Sequence, residues 1–229
     1  MGKRIISRAR GKGGPRYRSP GHRFVSDIAH PKEGKYVITD IVHDPSKSTP
    51  LAMLKSESGE VCYTLAAEGI KVGDILNVGG SAYTGNITKL AAVPKGSPVF
   101  AIEKTPGSGP KFCRTSGSYA FIIASEQDKV IVQLPSRELK TLDPRCRAIV
   151  GYPAGGGRTE KPFVKAGQRF YATRARNKLW PRTSGNKMNP VDHPFGGRTK
   201  PGWPKSVSRW APPGQKVGSI ASRRTGRRK

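Results

Sequence analysis

The stretch KYVITDIV at residues 35–42 alternates apolar with polar side chains and is rich in β-branched residues, the pattern of a half-buried strand. Three runs of the same texture follow, LAMLKSE (51–57), EVCYTL (60–65) and DILNVG (74–79), separated by turn-rich pieces such as HDPSKSTP and SESGE. Short alternating runs broken by Pro, Gly, Ser and Asp predict a first antiparallel β-barrel over residues 35–82. Downstream, SPVFAIEK (97–104), GSYAFIIAS (117–125), KVIVQLP (129–135), RELKTL (137–142) and CRAIVG (146–151) predict a second small barrel over residues 97–152, of SH3-like or related type. Between the two, residues 83–96, with Gly85, Pro94 and Gly96, read as a linker.

Charge partitions the chain in the same way. Residues 151–229 carry 19 Lys and Arg against Glu160 and Asp192, and residues 1–26 carry eight against none. Residues 35–150 are nearly balanced, with 14 basic and 11 acidic side chains, within a net charge of +27. A near-neutral body between cationic arms suits a chain whose arms lie along a polyanion while the body folds by itself. The partner expected is nucleic acid, with a basic N-terminal extension over 1–34 and a basic C-terminal extension over 153–229. Rich in Arg, Lys, Gly, Pro and Ser, the extensions bury too little apolar surface to offset the entropy of ordering. They are expected to be largely disordered until a partner neutralises them.

One short helix is expected near 160–179. Phe163, Gly167, Phe170 and Tyr171 recur at helical steps, and Lys161, Lys165 and Arg169 follow one another every four residues. The reading is an amphipathic helix with a basic stripe, ended no later than Pro181.

No apolar run approaches the roughly 20 residues that span a bilayer, and no apolar signal core follows the basic start. The chain therefore reads as cytosolic, with no membrane partner. Cys62, Cys113 and Cys146 are odd in number and widely spaced, which points to reduced, mostly buried thiols rather than zinc or a disulfide framework. Asn86-Ile87-Thr88 matches a glycosylation pattern that a cytosolic chain does not use.

Several segments carry the chemistry of a polyanion partner. In the N-terminal arm KRIISRARGKGGPRYRSPGHRF, Arg forks onto phosphate oxygens, Gly allows close backbone approach, and Tyr17, His22 and Phe24 offer surfaces for an unpaired base. The loop TPGSGPKFCRTSGSYA brings Lys111 and Arg114 to glycine-rich backbone that can cradle phosphate, although an ordinary hairpin loop has the same appearance. It is not a nucleotide-binding loop, because GxxxxGK[ST] occurs nowhere in the chain. Gly155 to Gly157, followed by Arg158, reads equally as a phosphate nest or a flexible hinge. In NPVDHPFGG (189–197), prolines and glycines frame Asp192 and His193 in a rigid kink, with a carboxylate beside the imidazole able to raise its pKa. No nucleophile or electrophile is paired with His193, so it reads as a hydrogen-bonding or RNA-contacting residue. His30 and His43 read as structural or surface residues.

NPVDHPFGG, SVSRWAPPGQKVGSIASRRTGR, YRSPGHRF, DIVHDPSKSTPLA, CRAIVG and GGGRTEKPFVKAG together closely resemble the universal second-protein family of the large ribosomal subunit, in its archaeal and eukaryotic form. The resemblance spans nearly the whole chain in the expected order. It implies a mainly β fold, an OB-fold barrel followed by an SH3-like barrel, packed on large-subunit ribosomal RNA with the extensions threading into it. It also implies an early, primary RNA binder linked to subunit association, tRNA binding and the integrity of the peptidyl transferase region. His193 matches the family histidine connected with peptidyl transfer, a role that organises RNA and performs no chemistry. Two departures stand out. Arg198, Thr199 and Lys200 follow Gly197 at once, where family members continue a Gly/His-rich run. Arg137 replaces the glycine of the family's LPSGE, so that the turn either strains a left-handed residue or changes type.

The candidate RNA-binding set is Arg16, Arg18, His22, Arg23, Lys111, Arg114, Arg158, Lys161, Lys165, Arg169, Arg174, Arg176, Arg182, His193, Arg198, Lys205, Arg209, Arg223 and Arg224. No catalytic residue, metal ligand, cofactor or small-molecule substrate is assigned. The partners expected are large-subunit ribosomal RNA and neighbouring large-subunit proteins, with tRNA and small-subunit contacts left open, in the cytoplasmic ribosome. Two rival classes stand beside this reading: an RNA-processing enzyme using His193 and Asp192, and a free-standing single-strand or chromatin-binding module.

Overall fold

Every alternating run from KYVITDIV to CRAIVG holds a strand. In the computed structural model, which describes residues 5–197 and 206–223, these are β1 (Gly34–Val42), β2 (Leu51–Ser56), β3 (Val61–Leu65) and β4 (Ile75–Val78). They are followed by β5 (Ile87–Lys89), β6 (Pro98–Phe100), β7 (Ile102–Glu103), β8 (Pro110–Phe112), β9 (Ala120–Ser125), β10 (Val130–Gln133), β11 (Leu139–Leu142) and β12 (Arg147–Val150). Ten of these strands run in one sheet, in the order β11-β10-β9-β6-β12-β5-β4-β1-β2-β3, while β7 and β8 pair separately. The fold is mainly β, an OB-type barrel followed by an SH3-like barrel. Together these strands lie in a unit of residues 21–163.

Strand β1 pairs with β2 along its length and with β4 through Gly34 to Val37, and a register shift between Ile38 and Asp40 breaks its ladder with β2. An extra residue at that point bends the strand and increases its twist, as closing a small barrel requires. Its buried face carries Tyr36 and Ile38 into a core with Leu51, Leu54, Leu65, Leu76 and Ile87. A second core gathers Leu90, Val99, Ile102, Ile122, Val130, Val132, Ala148 and Val150. Successive side chains of a strand point to opposite faces, and two strands use both faces. Phe100 and Ile149 enter the first core, and their chain neighbours Val99, Ala148 and Val150 enter the second.

Periodicity does not show every element, and the glycine-rich connection TPGSGPKFCRTSGSYA itself holds β8. The stretch read as a linker contributes β5, which pairs parallel with β4 and antiparallel with β12 and so joins the two halves of the sheet. Asn86, the first residue of the apparent glycosylation pattern, is buried. Its Oδ1 accepts from the Asn77 backbone N–H at 2.9 Å, and its Nδ2 donates to the Ser81 carbonyl at 2.9 Å. SPVFAIEK is two strands, because Ala101 takes a left-handed φ of 53° that turns the chain between β6 and β7.

Residues 1–20 and 164–229 form a second unit. It holds α1 (Ile6–Gly11), α2 (Ala166–Arg174), and the short parallel pair β13 (Ser206–Val207) and β14 (Ser219–Ile220). Among the described residues its buried apolar cluster is Ile5, Phe195 and Val217. The helix corrects the expected basic stripe. It begins at Ala166 with Lys165 as its extended N-cap, and none of its residues is buried. Lys161 precedes Pro162, which disfavours helical backbone at the preceding position, so Lys161 and Lys165 share no helical face with Arg169.

Candidate nucleic-acid interface

Within residues 21–163, two glycine-rich segments that the sequence separates lie together. The Thr49 hydroxyl donates to the Arg114 carbonyl at 3.3 Å, and the Ser116 N–H donates to Ser48 Oγ at 3.1 Å. Arg158 Nε then donates to Ser116 Oγ at 3.3 Å, joining the GGG segment to the 105–120 loop. Gly117 makes the approach feasible: a Cβ placed there would stand 3.0 Å from Gly156 Cα, and its φ is +67°. Arg114 and Arg158 are exposed at this seam, and Lys111 and Lys161 are exposed on the chain that adjoins it. It is one cationic, amide-rich surface, with Glu160 at its edge.

Two buried carboxylates brace the segments that meet at the seam. Asp44, fully buried, accepts from Lys47 Nζ at 2.6 Å and from the Ser46 N–H at 2.9 Å, bracing the turn that leads to Ser48. Glu103 is also fully buried. It accepts from the backbone N–H groups of Gly107 at 3.2 Å, Gly109 at 3.3 Å and Arg147 at 3.0 Å, and from Arg147 Nη2 at 3.1 Å. Burial pushes the Glu103 carboxyl up, but the Arg147 hydrogen bonds outweigh it and hold the group below its ordinary range. The same arginine donates to the Pro31 carbonyl at 2.8 Å, while His30 Nε2 bonds the Ala101 carbonyl at 2.7 Å. Burial brings His30 down to about 4. Glu103 is the organising residue that periodicity misses; its signal is an acid closing an apolar run just before a glycine-rich loop.

In the unit of residues 1–20 and 164–229, Asn177 Nδ2 donates to the Arg18 carbonyl at 3.0 Å, and Arg18 Nε donates to the Gly13 carbonyl at 2.7 Å. The Arg169 guanidinium lies 5.3 Å from the centroid of the Trp180 ring. NPVDHPFGG folds on itself, with the N–H groups of Asp192 and His193 both directed to the Asn189 carbonyl, at 3.0 and 3.1 Å. His193 Nδ1 accepts from the Phe195 N–H at 3.1 Å, which places the hydrogen of the neutral ring on Nε2. Gly185 lies under that ring, where a Cβ would fall 2.6 Å from Nδ1. His193 borders two cavities, of about 760 and 480 Å³, and Arg182 borders the smaller.

The remaining candidates are dispersed. His22 and Arg23 are exposed on a short helical turn, Gly21–Arg23. Arg174 is exposed on α2, Arg176 is half-buried just beyond it, and Arg209 and Arg223 are exposed beside the β13–β14 pair. Arg198, Lys205 and Arg224 lie outside the described residues. Among the described residues no cluster of His, Cys, Asp or Glu can hold a metal ion, and no helix is long and apolar enough to cross a membrane. All three cysteines are free. Burial pushes their thiols up, that of Cys113 to about 11, so none is poised as a thiolate.

Residues 3–78 match the family described as "Ribosomal Proteins L2, RNA binding N-terminal domain", and residues 83–216 match "Ribosomal Proteins L2, C-terminal domain". The chain belongs to the ribosomal protein L2 family. It is 51% identical over 236 residues to large ribosomal subunit protein uL2 of Methanothrix thermoacetophila, covering 100% of both chains. It is also similar to the proteins of that name from Halorubrum lacusprofundi, 51% identical, and Haloarcula marismortui, 50% identical, each over 99% of this chain and 98% of the relative. These relatives bear the name of a ribosomal constituent, and L2 is not an enzyme family. The matched RNA-binding domain of the L2 family takes in β1 to β4, and its C-terminal domain takes in β5 to β12, the 105–120 loop, α2 and NPVDHPFGG.

Proposed function

We propose that this L2-family chain is a primary binder of large-subunit ribosomal RNA that stabilises the RNA around the peptidyl transferase region and supports subunit association and tRNA binding. It is a constituent of the large subunit of the cytoplasmic ribosome and contacts neighbouring large-subunit proteins there. One observation carries the reading: Arg114 and Arg158 lie exposed at one glycine-rich seam, with Lys111 and Lys161 exposed on the adjoining chain, in a body whose cores are apolar and whose Glu103 and Asp44 are buried. Exposed cations on close-approaching backbone neutralise phosphates and release counterions, and the barrels supply shape.

Among its described residues the terminal unit buries little apolar surface. Burial of Ile5, Phe195 and Val217 opposes the loss of backbone entropy of every ordered residue. Its arms gain their order from the polyanion that neutralises them. There His193, its Nδ1 held by the Phe195 N–H, presents an Nε2–H donor to an RNA acceptor and positions RNA without transferring a proton.

Binding of the full chain to deproteinised large-subunit RNA across a salt series tests the proposal, together with sedimentation of the tagged protein from its own cells. The expected result is a steep salt dependence and co-migration with large subunits. Salt-independent binding, equal affinity for duplex DNA, or sedimentation apart from large subunits would overturn it.

A further inference from the structure

We propose that the cavity between the N-terminal arm and helix α2 receives a single unpaired nucleobase of the bound RNA. The inference rests on the ribosomal RNA reading and assigns one subsite within it. The cavity, of about 240 Å³, is bordered by Arg16, Phe170, Arg174, Asn177, Lys178 and Trp180. Among the described residues, three cations and two aromatic rings converge there, and no acid borders it. That combination matches a nucleotide, whose base offers a π-face to an aromatic ring and whose phosphate takes a guanidinium or an ammonium.

Its size limits the occupant. Pockets for drug-sized ligands run to roughly 300–1,000 Å³, so this cavity suits one base and leaves the sugar and phosphate at the rim with the cations. Contacts within the unit link its walls. Arg169 lies 5.3 Å from the Trp180 centroid, and Thr173 Oγ1 donates back to the Arg169 carbonyl at 2.8 Å on the same helix. Asn177 ties the far wall to the arm, its Nδ2 donating to the Arg18 carbonyl at 3.0 Å.

The experiment uses the full chain and deproteinised large-subunit RNA. Affinity is measured over a salt series and nucleotide reactivity is mapped by chemical probing, for the wild type, Trp180→Ala, Trp180→Phe and Phe170→Ala. The expected result is one nucleotide whose reactivity changes with the wild type and Trp180→Phe and reverts with Trp180→Ala. Affinity falls roughly 5- to 150-fold in both alanine variants, the range for one lost base stack, and the salt slope stays unchanged because no phosphate contact is removed. Equal affinity and an unchanged reactivity map for Trp180→Ala would overturn the inference while leaving the ribosomal reading intact. A loss spread over the whole footprint, or shared by Trp180→Phe, would mark the ring as structural and overturn it too. Failure of the wild type to bind would overturn both readings.

Discussion

Phe100 and Ile149 face each other across the antiparallel pair of β6 and β12 and lie in the first core, while the next pair along, Val99 and Val150, lies in the second. Two neighbouring rungs of one ladder therefore serve two hydrophobic cores. The strands act as a shared wall, and disturbance on one face reaches the other through backbone that both cores hold. Phe100→Ala is expected to destabilise the chain by about 3–5 kcal/mol and Ile149→Val by about 0.5–1.5 kcal/mol. Because the side chains are paired, the double variant should depart from additivity in chemical denaturation.

Acid should unfold the chain in two stages. Buried His30 titrates at about 4 in the folded state, against 6.5 when exposed. Above pH 6.5 both states are neutral and stability does not depend on this group. As pH falls from 6.5 to 4 the unfolded chain takes up a proton that the folded chain refuses, so about 3 kcal/mol is lost. Glu103 and Asp44, both held below their ordinary range, contribute stability above the unfolded carboxyl range that is lost at still lower pH. Denaturation midpoints at pH 7, 6, 5 and 4 check this, and His30→Gln should flatten the first stage.

Arg137 has a φ of +66°, so the turn keeps a left-handed residue, the conformation that glycine adopts without strain. The Arg137 N–H donates to the Leu134 carbonyl at 2.8 Å, and the Leu134 N–H donates to the Glu138 carbonyl at 3.0 Å, closing the β10–β11 hairpin. Arg137→Gly relieves the strain and is expected to stabilise the chain by about 0.5–1 kcal/mol. A thermal melt showing no gain would contradict this.

Gly185→Ala should displace the His193 ring, since the new Cβ cannot share space with Nδ1. The Phe195 N–H then loses its acceptor. Long-range proton–nitrogen NMR of the wild type should report the Nε2–H tautomer of His193, and the variant should lose that signature. An unchanged spectrum would mean that the ring has room the geometry does not allow.

Arg114→Ala with Arg158→Ala should weaken RNA binding and lower the slope of log affinity against log salt by about 0.7–0.9 for each phosphate released. Removal of two exposed cations leaves both cores intact, so the melting temperature should hold. An unaltered slope would remove the seam from the interface.

Much of the molecule was legible in the chain. KYVITDIV and its successors announce strands because alternation is a local property, set by the pleat of one segment, and the charge partition announces a polyanion because it needs only counting. The 160–179 helix was legible in kind but not in face, since the four-residue spacing of Lys161, Lys165 and Arg169 is helical only if the backbone is, and Pro162 prevents it there. β5 was missed because three residues are too few to show a period.

By itself, the order of residues determined the element types, the apolar positions and the segregation of charge, all of which follow from short-range sterics and composition. Tertiary structure alone decided that Ser116 meets Arg158, that Glu103 braces a loop through Arg147, 44 positions away, and that two strands each feed two cores. Those relationships are contacts between segments far apart in the chain. They are settled by which faces can be buried together, a condition that no single segment contains.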